Sequence, residues 1–480
     1  MRKNGSAVAR FEGHISFRLF GFSFWQAWWV LAMCSDIVLP GRVTAETLFN
    51  PFFCITVLTT AGYLAAVLLS RRFGPFSGRC IFYVLAGGLA AAGSLGLSSF
   101  TIVTYPGGAP LLFIACAVMF SAGNALLLIM WGELWSMLAT GRVGRYLYAS
   151  YAFAFVLYFA LLALPHVAAS IIASLFPIVS TVILRSSQHE PRRSPSQVDF
   201  EIESFSPAKI ALALVSLGAV HGFVQRFLNV SGTVPSGTIE QSLAIAGIAI
   251  AALAVYMVVV QPAAEPFALY KPIMPAFVIG LVLLTLLPPE NAFVGNGLML
   301  LAIYSLDMLV MLVSTDIAFR TREPVALCFG LALLGMRTGT TIASAAVYAF
   351  TSSELLDAQT SHVAYLVCIV IVVLIGCVVF TQVDLMKLYR PKPTETTIDG
   401  TAARCAHIAE ICGLTPRETE VLQLLAAGRS APYISGELYI AESTVKHHIS
   451  SIYRKIGVYD RQSLMDVVLQ GAAGKGALAD

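Results

Sequence analysis

The chain has 480 residues, 57% of them hydrophobic and only 12% charged, with a formal net charge of +3. Soluble domains carry about a quarter of their residues as charges, so this composition excludes an ordinary soluble chain and points to a bilayer. The net charge is too small to name a partner; where the charges sit carries the information.

The opening stretch MRKNGSAVARFEGH is basic and polar, and no small-residue cleavage site follows the first apolar run. That run is therefore expected to be a retained span. Apolar runs of about twenty residues, the length a bilayer requires, fall at 17–39, 48–70, 80–102, 110–138, 147–165, 167–184, 209–229, 241–261, 272–288, 292–315, 325–350 and 362–383. These predict twelve membrane helices.

Charges in the loops set the orientation. Arg71, Arg72 and Arg79 lie between the second and third spans, Arg142 and Arg145 between the fourth and fifth, and Arg320 and Arg322 between the tenth and eleventh. Arg192, Arg193 and Lys209 flank the central loop, and Lys271 sits between the eighth and ninth spans. The alternate loops hold Glu46, Glu240, Glu290, Glu354 and Asp357, with Arg42 the basic exception. Cytoplasmic loops collect Lys and Arg. A multi-pass protein of the inner (cytoplasmic) membrane with both termini in the cytoplasm is the expectation.

The most polar internal stretch, SSQHEPRRSPSQVDFEIESFSPAK at 186–209, divides six spans from six and reads as a solvated linker. The domains expected are a first membrane half (1–184), a cytoplasmic linker (185–208), a second half (209–383), a Pro- and Thr-containing tether (384–409) and a soluble tail domain (410–475). The six-plus-six layout and the stretch RRFGPFSGR at 71–79 resemble the major facilitator transporters. The match is partial: Ser70 stands where that family has an Asp, and the equivalent later loop, QPAAEPFALYK, barely keeps the pattern.

Ionisable and amide groups at membrane depth are costly and signal function. Gln26 and Asp36 lie on the first span, Asn124 and Glu133 on the fourth, His221, Gln225 and Arg226 on the seventh, Asp307 on the tenth and Arg337 on the eleventh. Transporter-like bodies bind small molecules near the midplane, which makes Gln26, Asn124, Glu133, Asp307 and Arg337 candidate ligand-binding residues. Hydrogen bonding between helices is the competing role. Phe22, Trp25, Trp28 and Trp29 form an aromatic stripe that reads as packing.

Nine cysteines are scattered without a C-x-x-C or a Cys/His spacing that suits zinc. There is no P-loop, so ATP hydrolysis is not expected. No catalytic residues, metal or cofactor are assigned, and the chain is expected not to be an enzyme.

The tail opens with LTPRETEVLQLLAAGRS at 414–430. Thr415, Pro416 and Glu418 form a capping box, Val421, Leu424 and Leu425 one apolar face, and Gly428 a stop. Ser430 caps a short second helix ending near Leu438. In the third helix Val445, Ile449, Ile452 and Ile456 recur at spacings of four, three and four, a buried stripe. The adjoining face carries Lys446, His447, Ser450 and Arg454, with Lys455 beside it. Two helices joined by a tight turn, the second bearing donors, define a helix-turn-helix suited to a DNA groove.

L-T-P-R-E-x-E-V-L at 414–422, S-T-V-K-x-H at 443–448 and R-K-I-G-V at 454–458 resemble the LuxR/FixJ-type DNA-binding domains of bacterial transcription regulators. The resemblance implies that Lys446, His447 and Ser450 face bases and that Thr444, Arg454 and Lys455 lie near phosphates. It further implies that Glu420 is the acid tying the helices together, and that the segment Ser463–Gln470, with Leu464, Val467 and Val468, serves dimerisation. Two departures are Ala431-Pro432-Tyr433 in place of a polar triplet and Gly436 where a helix former is usual.

The expected fold is all-α: a polytopic bundle of about twelve spans followed by a small LuxR-type domain. The expected function is a membrane-bound, one-component transcription regulator, its body sensing an unknown small molecule and its tail binding promoter DNA. A secondary transporter with a regulatory DNA-binding tail is the alternative. Double-stranded DNA, the lipid bilayer, a second copy of the chain through the tail, and RNA polymerase are the expected partners.

Overall fold

The computed structural model describes residues 17–39, 51–102, 110–138, 140–190, 207–230, 235, 237–257, 273–352, 358–378, 395–426, 431–438, 440–458, 464 and 467–468. Among them every regular element is helical. A 3₁₀ turn, Phe17–Phe20, leads into α1 (Gly21–Cys34), followed by α2 (Pro51–Phe73), α3 (Cys80–Ile102), α4 (Pro110–Ser136), α5 (Thr140–Leu162) and α6 (His166–Ser187). Then come α7 (Pro207–Val230), α8 (Thr238–Val255), α9 (Ile273–Leu286), α10 (Ala292–Thr321), α11 (Val325–Ser352) and α12 (Ala358–Val378). The tail holds α13 (Glu395–Cys412), α14 (Pro416–Ala426), α15 (Ala431–Leu438) and α16 (Glu442–Ile456). The chain forms two compact units, one containing α1–α12 and the other α13–α16.

Each of α1–α12 overlaps one apolar run of the sequence. Among the described residues nine helices are long and apolar enough to cross a membrane, while α9 is a shorter apolar helix. Large apolar side chains such as Leu68, Val84, Val156, Val182, Ile248 and Val363 point outward and are exposed. Water does not tolerate such a surface, whereas lipid does. The first unit is a multi-pass membrane body.

Its packing repeats. In the first six helices α3 packs on α4 and α6, α2 on α4, and α1 on α5 and α6. In the second six, α9 packs on α10 and α12, α8 on α10, and α7 on α11 and α12. The halves therefore share one internal plan. They are joined crosswise, α2 against α11 and α5 against α8, with Thr60 and Thr341 hydroxyls 3.3 Å apart across the first of these joints.

The tightest crossing is α7 on α11. A Cβ added at Gly339 would lie 1.9 Å from the Val215 carbonyl oxygen, and one at Gly218 would lie 2.2 Å from that of Met336. Only hydrogen fits, so the two backbones touch, as small residues allow between membrane helices. The Thr340 hydroxyl donates to the Gly218 carbonyl at 3.2 Å. This crossing fixes the turn of α11 that carries Arg337.

The tail has its own core, in which Cys405, Ile408, Leu422, Ile434, Val445 and Ile452 are buried. The sequence assigned 384–409 to a tether. Instead, Glu395–Cys412 is helical, and Cys405, Ile408 and Ala409 are buried. Their apolar spacing of three and four makes α13 one wall of the domain. Helix α16 ends at Gly457, whose φ of 78° favours glycine, and the Gly457 and Val458 N–H groups both donate to the Tyr453 carbonyl.

Candidate functional site

Helix α16 presents the donor set. Successive residues advance by about 100° around a helix, so Val445, Ile452 and Ile456 line one side and are buried. Lys446, His447, Ser450 and Arg454 lie on the opposite side, all exposed, with Thr444 exposed on the flank. The Lys446 ammonium is 2.7 Å from the Glu442 carboxylate one turn earlier. Both groups are exposed, so the pair is weak, and a phosphate or base acceptor can displace it. These five residues form one continuous polar face with the dimensions of a recognition helix.

Lys455 is placed differently from the expectation of phosphate contact. It lies about 100° around from Arg454, on the flank that meets α14. Its ammonium donates to the Glu418 carboxylate at 2.7 Å and to the Gly413 carbonyl at 3.1 Å. Glu418 is also the acid that ties the helices together, a role the family resemblance assigned to Glu420. The Glu418 carboxylate accepts the Thr415 N–H at 2.7 Å and the Ser451 hydroxyl at 2.6 Å, while the Glu418 N–H donates to the Thr415 Oγ1 at 3.3 Å. The capping box therefore forms reciprocally and is extended to α16. Glu420, two residues on and so on the other side of α14, is exposed and pairs with Arg417. The Lys455 ammonium, then the Ser451 hydroxyl and the Thr415 N–H, hold the Glu418 carboxyl at about 2, well below its ordinary 4.5.

The turn from α15 into α16 is closed by the Ser435 hydroxyl, which donates to the Ile440 carbonyl at 2.7 Å, and by the Ile440 N–H, which donates back to the Ser435 carbonyl at 3.2 Å. Leu464 and Val468 from the expected dimerisation segment are buried in the tail's own core. Ser430, Gly428 and the remainder of that segment, Val467 apart, lie outside the described residues.

The membrane body contains a cavity of about 80 Å³ between α1, α2, α7, α10 and α11. Asp307 and Arg337, each about halfway along its helix, both line it, together with Trp29, Thr56, His221, Gln225 and Tyr304. The Arg337 guanidinium lies over the Trp29 ring, 4.8 Å from its centroid, a cation–π contact. The His221 Nδ1 is buried there without a hydrogen-bond partner. Gln225 donates to Asn296 at 2.8 Å, and Asn296 donates to Ser242 at 3.0 Å, linking α7, α10 and α8.

The other three expected ligand residues do not line this cavity. Asn124 accepts from the Trp25 indole at 3.0 Å and donates to the Tyr63 hydroxyl at 3.3 Å, the helix-to-helix role. Gln26 is buried outside the lining. Glu133 accepts the Phe76 and Ser77 N–H groups at 2.9 and 2.7 Å, pinning the turn within RRFGPFSGR. Trp29 reaches the cavity although its stripe read as packing, and Thr56 and Tyr304 gave no signal in the sequence.

Residues 413–468 match the family "Bacterial regulatory proteins, luxR family". They are similar to "Probable transcriptional regulatory protein NarL" from Mycobacterium tuberculosis strain H37Rv, at 50% identity over 58 residues, 12% of this chain and 26% of that protein. "Transcriptional regulatory protein DegU" from Brevibacillus brevis is 48% identical over 59 residues, 12% of this chain and 25% of that one. The chain thus spans about a quarter of the length of these curated relatives. Among solved structures, a bacterial homologue of the iron transporter ferroportin, in an outward-facing state with soaked iron, is similar with TM-score 0.49 and 17% identity. The match covers 78% of this chain and 98% of that one. The six-plus-six plan stands on the helix packing above. The protein joins a LuxR-type helix-turn-helix domain to a many-helix membrane body.

Proposed function

We propose that the protein is a membrane-bound, one-component bacterial transcription regulator and not an enzyme. The observation that carries this reading is the exposed face of α16, where Lys446, His447, Ser450 and Arg454 stand together beside Thr444 on a helix held by its own core. Donors on one face of a helix that fits the major groove read base edges and neutralise phosphates. Both termini lie in the cytoplasm, where DNA is, and the body sits in the inner membrane. The cavity of the body receives a small molecule. That ligand favours one of two body conformations by binding it more tightly, which changes how the tail is presented or paired. Tail dimers read a two-fold symmetric operator with half-sites one or more helical turns apart, and RNA polymerase is the downstream partner.

The test is genome-wide crosslinking and immunoprecipitation of the full-length protein beside Lys446→Ala. Peaks at a few promoters, lost in the variant, are the expected result. Absence of peaks, or peaks that persist unchanged in the variant, would overturn the DNA-reading role; uptake coupled to an ion gradient would then favour a transporter.

A further inference from the structure

The cavity between α1, α2, α7, α10 and α11 carries a pattern of charge that restricts what can occupy it. Among the described residues its lining holds one guanidinium, Arg337, and one carboxylate, Asp307. The guanidinium carbon lies over the Trp29 ring, 4.8 Å from its centroid. The side of the group that faces the ring is occupied, and its N–H groups remain for a planar, bidentate acceptor such as a carboxylate. Asp307 accepts only. The His221 Nδ1, buried and unpartnered, offers a second acceptor in the Nε2–H tautomer. Donor and acceptor stations therefore stand in one small space.

Burying a charge away from water is costly unless it is paired. A simple carboxylate ligand would satisfy Arg337 and leave its charge facing Asp307. A simple ammonium would satisfy Asp307 and face Arg337. A ligand that carries both charges meets both walls and leaves the cavity neutral. Size narrows the choice further. A cavity of about 150 Å³ holds benzene, and this one is about 80 Å³, which leaves room for only a few non-hydrogen atoms. Met33, Leu300, Ile303 and Met336 supply apolar wall, which favours a short aliphatic side chain over a polar one.

We propose that the sensed ligand is a small zwitterion of the α-amino-acid type, its carboxylate on Arg337 and its ammonium on Asp307 and His221. This rests on the reading that the body senses a small molecule, and it adds the chemical class.

The experiment is equilibrium binding of labelled alanine to the full-length protein in lipid nanodiscs, with propionate, ethylamine and glycine as competitors. Saturable alanine binding is expected, displaced by glycine, with propionate and ethylamine each at least about tenfold weaker because each lacks one charge-assisted contact. In Asp307→Asn the propionate disadvantage is expected to disappear; in Arg337→Gln the ethylamine disadvantage disappears instead. The analogue series in the unmodified protein decides the matter even where a variant folds poorly. No saturable binding of alanine or glycine, or propionate competing as well as alanine, would overturn the proposal. DNA binding by the same preparations separates the two readings. DNA binding abolished by Lys446→Ala, with no zwitterion bound, leaves the regulator and removes this ligand class. Alanine binding without Lys446-dependent DNA binding leaves the ligand class and removes the regulator.

Discussion

Glu418 does the work of a cap and of a tertiary bolt at once. Its bond to the Thr415 N–H was legible, because a capping box is a spacing of three along the chain. Its bonds to Ser451 and Lys455 were not, because only the folded tail brings α16 against α14. Two acids two residues apart cannot be ranked from sequence, which is why Glu420 was favoured by resemblance. A group whose folded pKa is depressed contributes stability that is full above its unfolded value and is lost as pH falls toward the folded one. With a carboxyl at about 2 against an ordinary 4.5, the tail is expected to lose protection progressively below pH 4.5. Hydrogen exchange of α14 and α16 amides in the full-length protein, compared with Glu418→Gln, measures this. The variant should be less protected at pH 7, and the difference should shrink toward pH 2. A gap that does not narrow with pH would contradict the ion-pair account. Glu133 likewise lies within a span by sequence, and only the fold brings the Phe76 and Ser77 N–H groups onto its carboxylate.

At the scale of elements, an apolar run of the sequence marked each described helix of the body, α1–α12, and blurred the ends. Helix α5 begins at Thr140, not near 147, because Arg142 is anchored by Glu190 at 2.7 Å; a helix continues past the apolar run when its charges are paired. Helix α13 was missed for the opposite reason, since its few apolar residues are diluted by Thr, Glu and Asp. Two substitutions test the packing. Gly436 on α15 is exposed, with nothing within 4 Å of where a Cβ would stand. Gly436→Ala is expected to stabilise the tail by about 1 kcal/mol, the helix-propensity difference, seen as slower exchange in α15 and α16. Gly339→Ala, by contrast, forces α7 from α11 and is expected to destabilise the body by about 1–3 kcal/mol, read as a lower melting temperature in nanodiscs. An unchanged melting temperature would mean that the crossing is looser than its geometry.

At the scale of the whole molecule, the sequence divided clearly into a membrane body and a DNA-facing tail because the two obey different solvents. Hydropathy marks one and helix-turn-helix spacing the other. Asp307 and Arg337 were also legible as ligand candidates, as charged groups on the tenth and eleventh spans, and both line the cavity. The five-helix lining was not, since Trp29, Thr56 and Tyr304 come from helices whose facing depends on the repeat packing. Under the proposed function, the cavity governs the tail. The most direct measurement is promoter occupancy of the full-length protein in cells shifted between rich and minimal medium, for the wild type and for Asp307→Asn. Occupancy is expected to change with medium in the wild type and to stay fixed in the variant, at equal amounts of membrane-inserted protein. A variant that responds as the wild type does would contradict this control of the tail by the cavity.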